Sequence, residues 1–370
     1  MRVRNVVLAA SAGTVAAGTF AGIGAFLLAR AAWKGFREIS IRGKVALVTG
    51  ASRGLGLAIA QELVREGVRL AICARDENHL RWAKEELLTI DPDAEVLTIP
   101  CDVSDREQVH QLFQQIHARY GALHILINNA GQISVGPIHS QTVEDFEEAM
   151  RVMYWAHVYT TLEALPEMLS RGSGNIANVT SIGGKVSIPH LLPYSAAKFA
   201  AVGFSEGLRA ELAKDGIKVT TVVPGLMRTG SHVNAYFKGD HRKEYAWFSL
   251  GATTPFMAMN AHRAARQIVR AIKRGRAEVV LSPQAQMLAL AHGVAPGMVS
   301  DALGVVNRVM PGSDSTSKER FTGKESQGFV SESPITMLGR RAADELHQNP
   351  EKHHRDVENA ASGPGALLAD

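Results

Sequence analysis

The chain has 370 residues, 46% hydrophobic and 21% charged, which places it in the globular class with residues to spare for appendages beyond one large core. Its formal charge of +4 comes from Lys and Arg scattered among acids, not clustered with aromatics, which argues against nucleic-acid binding. The two cysteines, Cys73 and Cys101, each lie in an apolar stretch that reads as a strand or its end, so a disulfide framework is not supported and reduced thiols in a cytosolic compartment are expected.

At the N-terminus, Arg2 and Arg4 precede an uncharged run from Val6 to Ala29, and Arg30 and Lys34 follow it. At a helical rise of about 1.5 Å per residue, that run spans roughly 36 Å, enough for a hydrocarbon core of about 30 Å with some tilt. Residues 1–34 therefore read as a single transmembrane anchor that meets the lipid bilayer through residues 6–29. The alternative, a secretory signal, has a shorter apolar region of about 7 to 15 residues. Gly18 and Gly22 form a GxxxG pair, a weak signal in so glycine-rich a segment. Basic residues are denser after the run (Arg30, Lys34, Arg37, Arg42, Lys44) than before it, which puts the main domain on the cytoplasmic side.

Residues 35–283 alternate short β-branched runs with helical patterns: "KVALVTG", "VRLAICAR", "EVLTIPCD", "LHILINNAG", "GNIANVTS", "KVTTVVPG" and "AEVVLS". Seven such runs with helices between them predict an α/β fold, a doubly wound parallel sheet covered on both faces. In the first connection, Leu55, Ile59 and Leu63, with Ala58 and Val64, share one helical face, and Gly67 closes the helix. Residues 231–260 break the alternation with Tyr236, Phe237, Tyr245, Trp247 and Phe248, an insertion placed where open α/β sheets bind ligands. Residues 284–311 form an apolar extension interrupted by Gly293, Pro296 and Gly297, suited to covering the sheet edge, a subunit contact or a membrane surface. Residues 312–370 are rich in Ser, Lys, Glu, His and Gly and are expected to be mostly disordered.

"TGASRGLG", Thr49 to Gly56, follows a strand and opens a helix. Its glycines, at 50, 54 and 56, permit a tight turn and let the backbone approach a pyrophosphate held at the helix N-terminus. The candidate cofactor residues in this loop are Gly50, Ser52, Arg53, Gly54, Leu55 and Gly56. Where an acid at the end of the second strand would bond the adenosine ribose, this chain has Ala74 and Arg75. Arg75 and Arg53 are suited to a 2′-phosphate, which favours NADP(H) over NAD(H); Asp76 keeps an NAD-type contact open.

The TGxxxGxG loop, "NNAG" at 128–131 and "YSAAK" at 194–198, in that order, resemble the short-chain dehydrogenase/reductase family, from about Gly43 to Ser282. The resemblance implies a Rossmann-type fold, adenine contacts from Asp102 and Val103, and Asn129 beside the adenine ribose. It further implies that Pro224 and Gly225 line the nicotinamide pocket, that Thr229 contacts the carboxamide or a nearby phosphate, and that Tyr194 and Lys198 also touch the cofactor. Homodimers or homotetramers are common in the family. No metal site is expected.

Tyr194 and Lys198, four residues apart, project from one helical face. A neighbouring ammonium and a nicotinamide cation both favour phenolate, so Tyr194 is expected to exchange a substrate proton while hydride moves to or from the cofactor. Ser181, just past the fifth strand, is suited to orient the reacting oxygen; Thr180 beside it points the other way. The helix before the fifth strand, "VMYWAHVY" at 152–159, departs from the resemblance. The family usually has an asparagine there that helps hold a water linked to the catalytic lysine, and this chain has Met153, or Tyr154 if the count slips by one. A thioether accepts only weakly and donates nothing. That leaves a backbone carbonyl, a substitute from His157 or Tyr154, or weak turnover; His157 itself is expected to be a satisfied structural histidine.

The leading expectation is a membrane-anchored NADP(H)-dependent oxidoreductase interconverting a carbonyl and a secondary alcohol on a small, apolar substrate, with Ser181, Tyr194 and Lys198 as the catalytic residues. The alternatives are a membrane-recruited nicotinamide-binding sensor or scaffold with little catalysis, and a secreted enzyme released by signal cleavage.

Overall fold

The computed structural model describes residues 38–254, 257–310, 315–328 and 337–348. The transmembrane expectation for residues 6–29 lies outside them. Among the described residues, no helix is long and apolar enough to cross a membrane.

All seven expected strands are present: β1 (Val45–Thr49), β2 (Arg69–Ala74), β3 (Val96–Pro100), β4 (Ile125–Asn128), β5 (Gly174–Val179), β6 (Ile217–Pro224) and β7 (Glu278–Leu281). They form one parallel sheet in the order β7-β6-β5-β4-β1-β2-β3. The order reverses between β1 and β4, which opens a crevice at the carboxyl ends of these strands where α/β folds bind ligands. The pleat divides the core. Ala46 and Val48 of β1 face one apolar layer, shared with α1 (Gly54–Arg65), α2 (Glu77–Ile90) and α8 (Ala261–Arg274). Val45 and Leu47 face the other, shared with α3 (Arg106–Tyr120) and α5 (Ala156–Arg171). A strand apolar on both faces makes sense only between two helical layers. Cys73 and Cys101 are both buried free thiols.

Two further helices position the site. Helix α4 (Val143–Met150) runs through a π turn at Arg151–Trp155 into α5, and α6 (Leu192–Leu212) carries the YxxxK pair. The insertion becomes a two-residue strand, Tyr236–Phe237, and α7 (His241–Thr253), with Phe237, Tyr245 and Phe248 buried. Helices α9 (Pro283–Val294) and α10 (Pro296–Val309) form a hairpin that buries only Ala285, so it does not serve as a cover for the sheet edge.

The segment expected to be mostly disordered behaves otherwise where it is described. Phe321–Thr322 pairs with Tyr236–Phe237, which in turn pairs with Ser134–Val135. Helix α11 (Met337–Glu345) and the three residues after it pack on the domain, with Ala342, Ala343, Leu346, His347 and Gln348 buried. Polar composition predicted too little apolar area to offset the ordering entropy. The few apolar residues present nevertheless find existing grooves.

Candidate active site

The glycine loop has the shape its sequence implied. Gly50 is left-handed at φ 63°, and a Cβ there would lie 2.8 Å from the Ala130 Cα. A Cβ on Gly56 would lie 2.2 Å from the Gly50 carbonyl oxygen and 2.6 Å from the Asn129 amide nitrogen. Neither position has room for a side chain, so the loop can close tightly over the start of α1 and fits a pyrophosphate there. Asn129 donates its side-chain amide to the carbonyls of Thr49 (2.9 Å) and Gly50 (3.1 Å), which ties β4 to the end of β1 and the loop. The Thr49 hydroxyl accepts from the Asn129 and Ala130 amides. Ser52 and Leu55 are buried.

One contact was not foreseen. The Gly54 N–H, at the N-terminus of α1, donates to the Leu346 carbonyl at 2.9 Å.

At the adenosine end, Arg75 is exposed and Arg53 half-buried. Burial lowers the Arg53 guanidinium, and the positive charge of Arg75 lowers it further, so the two cations sit close to one another. Asp76 is committed elsewhere: its carboxylate caps α2 by accepting from the His79 amide at 2.9 Å. Asp102 accepts from both the Ser104 amide (2.9 Å) and the Ser104 hydroxyl (2.7 Å), and Val103 is buried.

Ser181, Tyr194 and Lys198 converge. A Cβ on Gly183 would meet Tyr194 Cε1 at 3.1 Å and Ser181 Oγ at 3.4 Å, so ring and hydroxyl meet over that glycine. The Ser181 hydroxyl accepts from the Gly183 amide at 3.0 Å, which fixes its position. Thr180 instead donates to the Val222 carbonyl at 2.7 Å, within the sheet. Lys198 Nζ donates to the Val179 carbonyl at 2.9 Å and lies 5.9 Å from the centroid of the Tyr194 ring. Burial lowers Lys198 to about 8.

The pull on the phenol expected from the Lys198 ammonium is not seen. Burial raises Tyr194 above the ordinary phenol value, and its hydrogen bond with Ser181 offsets only part of that. The lysine holds a backbone carbonyl instead of the phenol oxygen, so desolvation dominates. At neutral pH Tyr194 is a phenol, which can donate a proton.

Met153 lies in the π turn, 1% exposed. A Cβ on Gly131 would be 3.7 Å from both Met153 Cγ and Lys198 Nζ, so the thioether and the ammonium flank the same spot. His157, one turn on, is not the satisfied histidine expected: it is 1% exposed, and neither ring nitrogen has a partner among the described residues. Burial, with a smaller contribution from the Lys198 charge, lowers it to about 3, so it is neutral. Two buried ring nitrogens without protein partners are the kind of groups that an ordered water satisfies. Met153→Asn should therefore be accommodated and leave kcat/KM equal or higher; a folded variant with a large loss of turnover would refute this view of the site.

Tyr194 and Met153 also line a small cavity with Gln132, Ser134, Asp145, Glu148, Ala149 and Arg320. Its exposed wall is more apolar than polar, so it does not count against the apolar substrate expected from the sequence. Arg320 pairs with Glu148 at 2.5 Å and lies 4.1 Å over the Tyr236 ring. Sequence reasoning missed this residue because it lies in the segment taken as disordered. Elsewhere, Gly225 approaches so closely that a Cβ would lie 2.8 Å from Ser282 Oγ, beside β6's final residue, Pro224. Thr229 is buried, its hydroxyl accepting from the Ser231 amide at 3.3 Å. Among the described residues, no group of three or more His, Cys, Asp or Glu side chains could hold a metal ion.

Comparison with known proteins agrees with this geometry. The short chain dehydrogenase family model matches residues 44–237. A dehydrogenase/reductase SDR family protein 7-like of Anopheles gambiae is 34% identical over 247 residues, 66% of this chain and 76% of that protein. A short-chain dehydrogenase from Streptomyces avermitilis superposes with a TM-score of 0.63 at 30% identity, over 73% of this chain and 99% of its own. An actinorhodin polyketide ketoreductase with NADPH superposes with a TM-score of 0.58, also at 30% identity, over 66% and 97%. With its glycine loop, parallel sheet and YxxxK helix in place, this chain belongs to the short-chain dehydrogenase/reductase family and is an oxidoreductase acting between CH–OH and carbonyl groups with a nicotinamide cofactor.

Proposed function

We propose that the protein is an NADP(H)-dependent reductase interconverting a carbonyl and a secondary alcohol on a small substrate. The observation that carries this reading is the convergence of Tyr194 and Ser181 over Gly183, with the Lys198 ammonium behind the ring. Residues of the glycine loop, Asn129, Arg75 and Thr229 would hold the dinucleotide, whose nicotinamide supplies or accepts the hydride when bound. The Ser181 hydroxyl orients the carbonyl oxygen of the substrate. Tyr194, a phenol at neutral pH, donates the proton that this oxygen needs on reduction. Lys198, a cation below about pH 8, stabilises the negative charge left on the phenol oxygen. The intact trio argues against a non-catalytic sensor or scaffold.

Selection of the 2′-phosphate is supported by the Arg53 and Arg75 pair, by an Asp76 already used as a helix cap, and by the NADPH in the ketoreductase structure. Two guanidiniums that disfavour each other are relieved by a phosphate between them. Arg75→Ala should weaken NADPH binding by about tenfold to a hundredfold, the worth of one charge-assisted contact, and leave NADH binding nearly unchanged. The measurement is cofactor affinity by titration, followed by rates on a panel of ketones and aldehydes. Equal losses for both cofactors would remove the NADP assignment. Cofactor binding without turnover on any carbonyl would remove the reductase assignment.

A further inference from the structure

The glycine loop that should receive the dinucleotide already holds a piece of its own chain. The Leu346 carbonyl accepts from the Gly54 N–H at 2.9 Å. Next to it, the Gln348 amide nitrogen lies 2.7 Å from where a Gly54 Cβ would be, so this side chain rests directly on the loop. Asn234, on the far wall of the crevice, donates its amide to the Gln348 carbonyl (3.0 Å) and side-chain oxygen (2.8 Å). At its other end the segment meets the loop that follows β6 and the end of α7: a Cβ on Gly230 would lie 2.4 Å from the Ala343 Cα, and one on Gly339 would lie 2.1 Å from Thr253 Cγ2. Residues 337–348 thus bridge the glycine loop and the stretch that carries Thr229. Those are the two walls between which an open α/β sheet holds its dinucleotide.

The contact imitates the chemistry of the ligand. Helix α11 ends in a left-handed His347 (φ 56°), with the Gln348 amide returning to the Ala343 carbonyl at 2.8 Å. That cap leaves the Leu346 carbonyl free to point outward. The negative end of α11 is thereby set against the positive N-terminus of α1, the same electrostatic match that a phosphate makes there. Leu346 is 1% exposed and joins the apolar layer that contains Leu55 and Leu57. Flanking polar pairs fix the segment: His347 with Glu86 at 2.5 Å and Glu345 with His262 at 2.9 Å.

We propose that residues 337–348 are an intramolecular competitor for the nicotinamide cofactor, seated where its pyrophosphate binds, so that cofactor binding requires the segment to leave. This rests on reading residues 49–56 as the cofactor loop. One amide hydrogen cannot serve both the Leu346 carbonyl and a phosphate oxygen. The occupant is built to be displaced. Its helix has nine residues, too short to persist alone, and within it only Gly339, Ala342 and Ala343 are buried, so that Leu346 is the one large apolar side chain that holds the segment down. A cofactor with a pyrophosphate, a 2′-phosphate and two ring systems offers more contacts than that.

The test uses the full chain. In the wild type, amide hydrogen exchange is followed across residues 50–57 and 339–347 as NADPH is added. The expected result is protection of the first stretch and faster exchange in the second, the reverse of ordinary ligand protection. The same titration is run on Leu346→Glu, which places a charge in the apolar layer and evicts the segment while leaving the sequence of the loop unchanged. NADPH should bind this variant about tenfold tighter or more, the factor by which an occluded population lowers apparent affinity. If residues 339–347 become more protected on NADPH addition, the segment closes over the cofactor and the competition is refuted. Equal or weaker binding by Leu346→Glu would refute it too. If neither form binds NADPH or NADH, it is the cofactor reading of the loop that falls, and the proposal with it.

Discussion

Tyr194→Phe is expected to lower kcat by roughly a thousandfold, within the range that a positioned general acid contributes, while NADPH affinity changes by less than about threefold. The substitution removes one oxygen from a ring already packed against the apolar cluster of Leu191, Phe237, Tyr245 and Phe248, so the fold should hold. Only the proton donor goes. Burial keeps Tyr194 protonated through neutral pH, so the wild-type reduction rate should show no loss attributable to Tyr194 between about pH 6 and 8. Steady-state rates with a reducible ketone, together with a binding titration, check both statements. Retained turnover in Tyr194→Phe would transfer the acid role to another group, with Ser181 the next in place.

Much of this was legible in the sequence, for identifiable reasons. Parallel strands buried on both faces must be apolar throughout, so Val45–Thr49, all five residues buried, could be read directly as a strand. The glycine loop was legible because only glycine survives where a Cβ would strike Gly50 or Ala130 backbone. Ser181 could be preferred to Thr180 because side chains alternate along an extended backbone, and Thr180 is indeed held within the sheet. What failed were judgements that depend on surroundings. The Tyr194 phenol was expected to be pulled down by Lys198 together with a nicotinamide cation; of these, the ammonium is spent on the Val179 carbonyl and burial outweighs it.

The packing of residues 315–328 and 337–348 was not foreseen for a related reason. Composition measures whether a segment can build its own core, and 312–370 cannot. It does not measure whether isolated residues such as Leu346 fit a groove that another part of the chain has built. Phe321 and Arg320 illustrate the same point: a strand pair holds Phe321 against Phe237, and a ring contact with Tyr236 sets Arg320 at the cavity beside Tyr194. His157 was misjudged in the opposite direction, since its burial was expected to come with partners and does not among the described residues.

Lys198→Met should abolish most turnover and yet make the ligand-free protein more stable. Burial lowers the lysine from 10.5 to about 8, so at pH 7 the folded protein carries an ammonium that prefers water. Each pKa unit corresponds to about 1.4 kcal/mol, which makes the cost of keeping that charge inside about 3 kcal/mol. Losing its hydrogen bond to the Val179 carbonyl returns about 1 kcal/mol, leaving a net gain near 2 kcal/mol and a Tm higher by roughly 5 °C. The pH dependence fixes the cause. Because the folded pKa lies below the unfolded one, the penalty on wild type is complete below about pH 8 and disappears as pH rises toward 10.5. The stability difference between Lys198→Met and wild type should accordingly be largest at and below neutrality and shrink through that window. Denaturation at pH 7 and pH 10 measures it; a difference that does not change with pH would show that packing, not charge, is responsible. A buried cation retained against its own folding cost is what an active site keeps when the charge is needed for chemistry, here beside the phenol that gives up its proton.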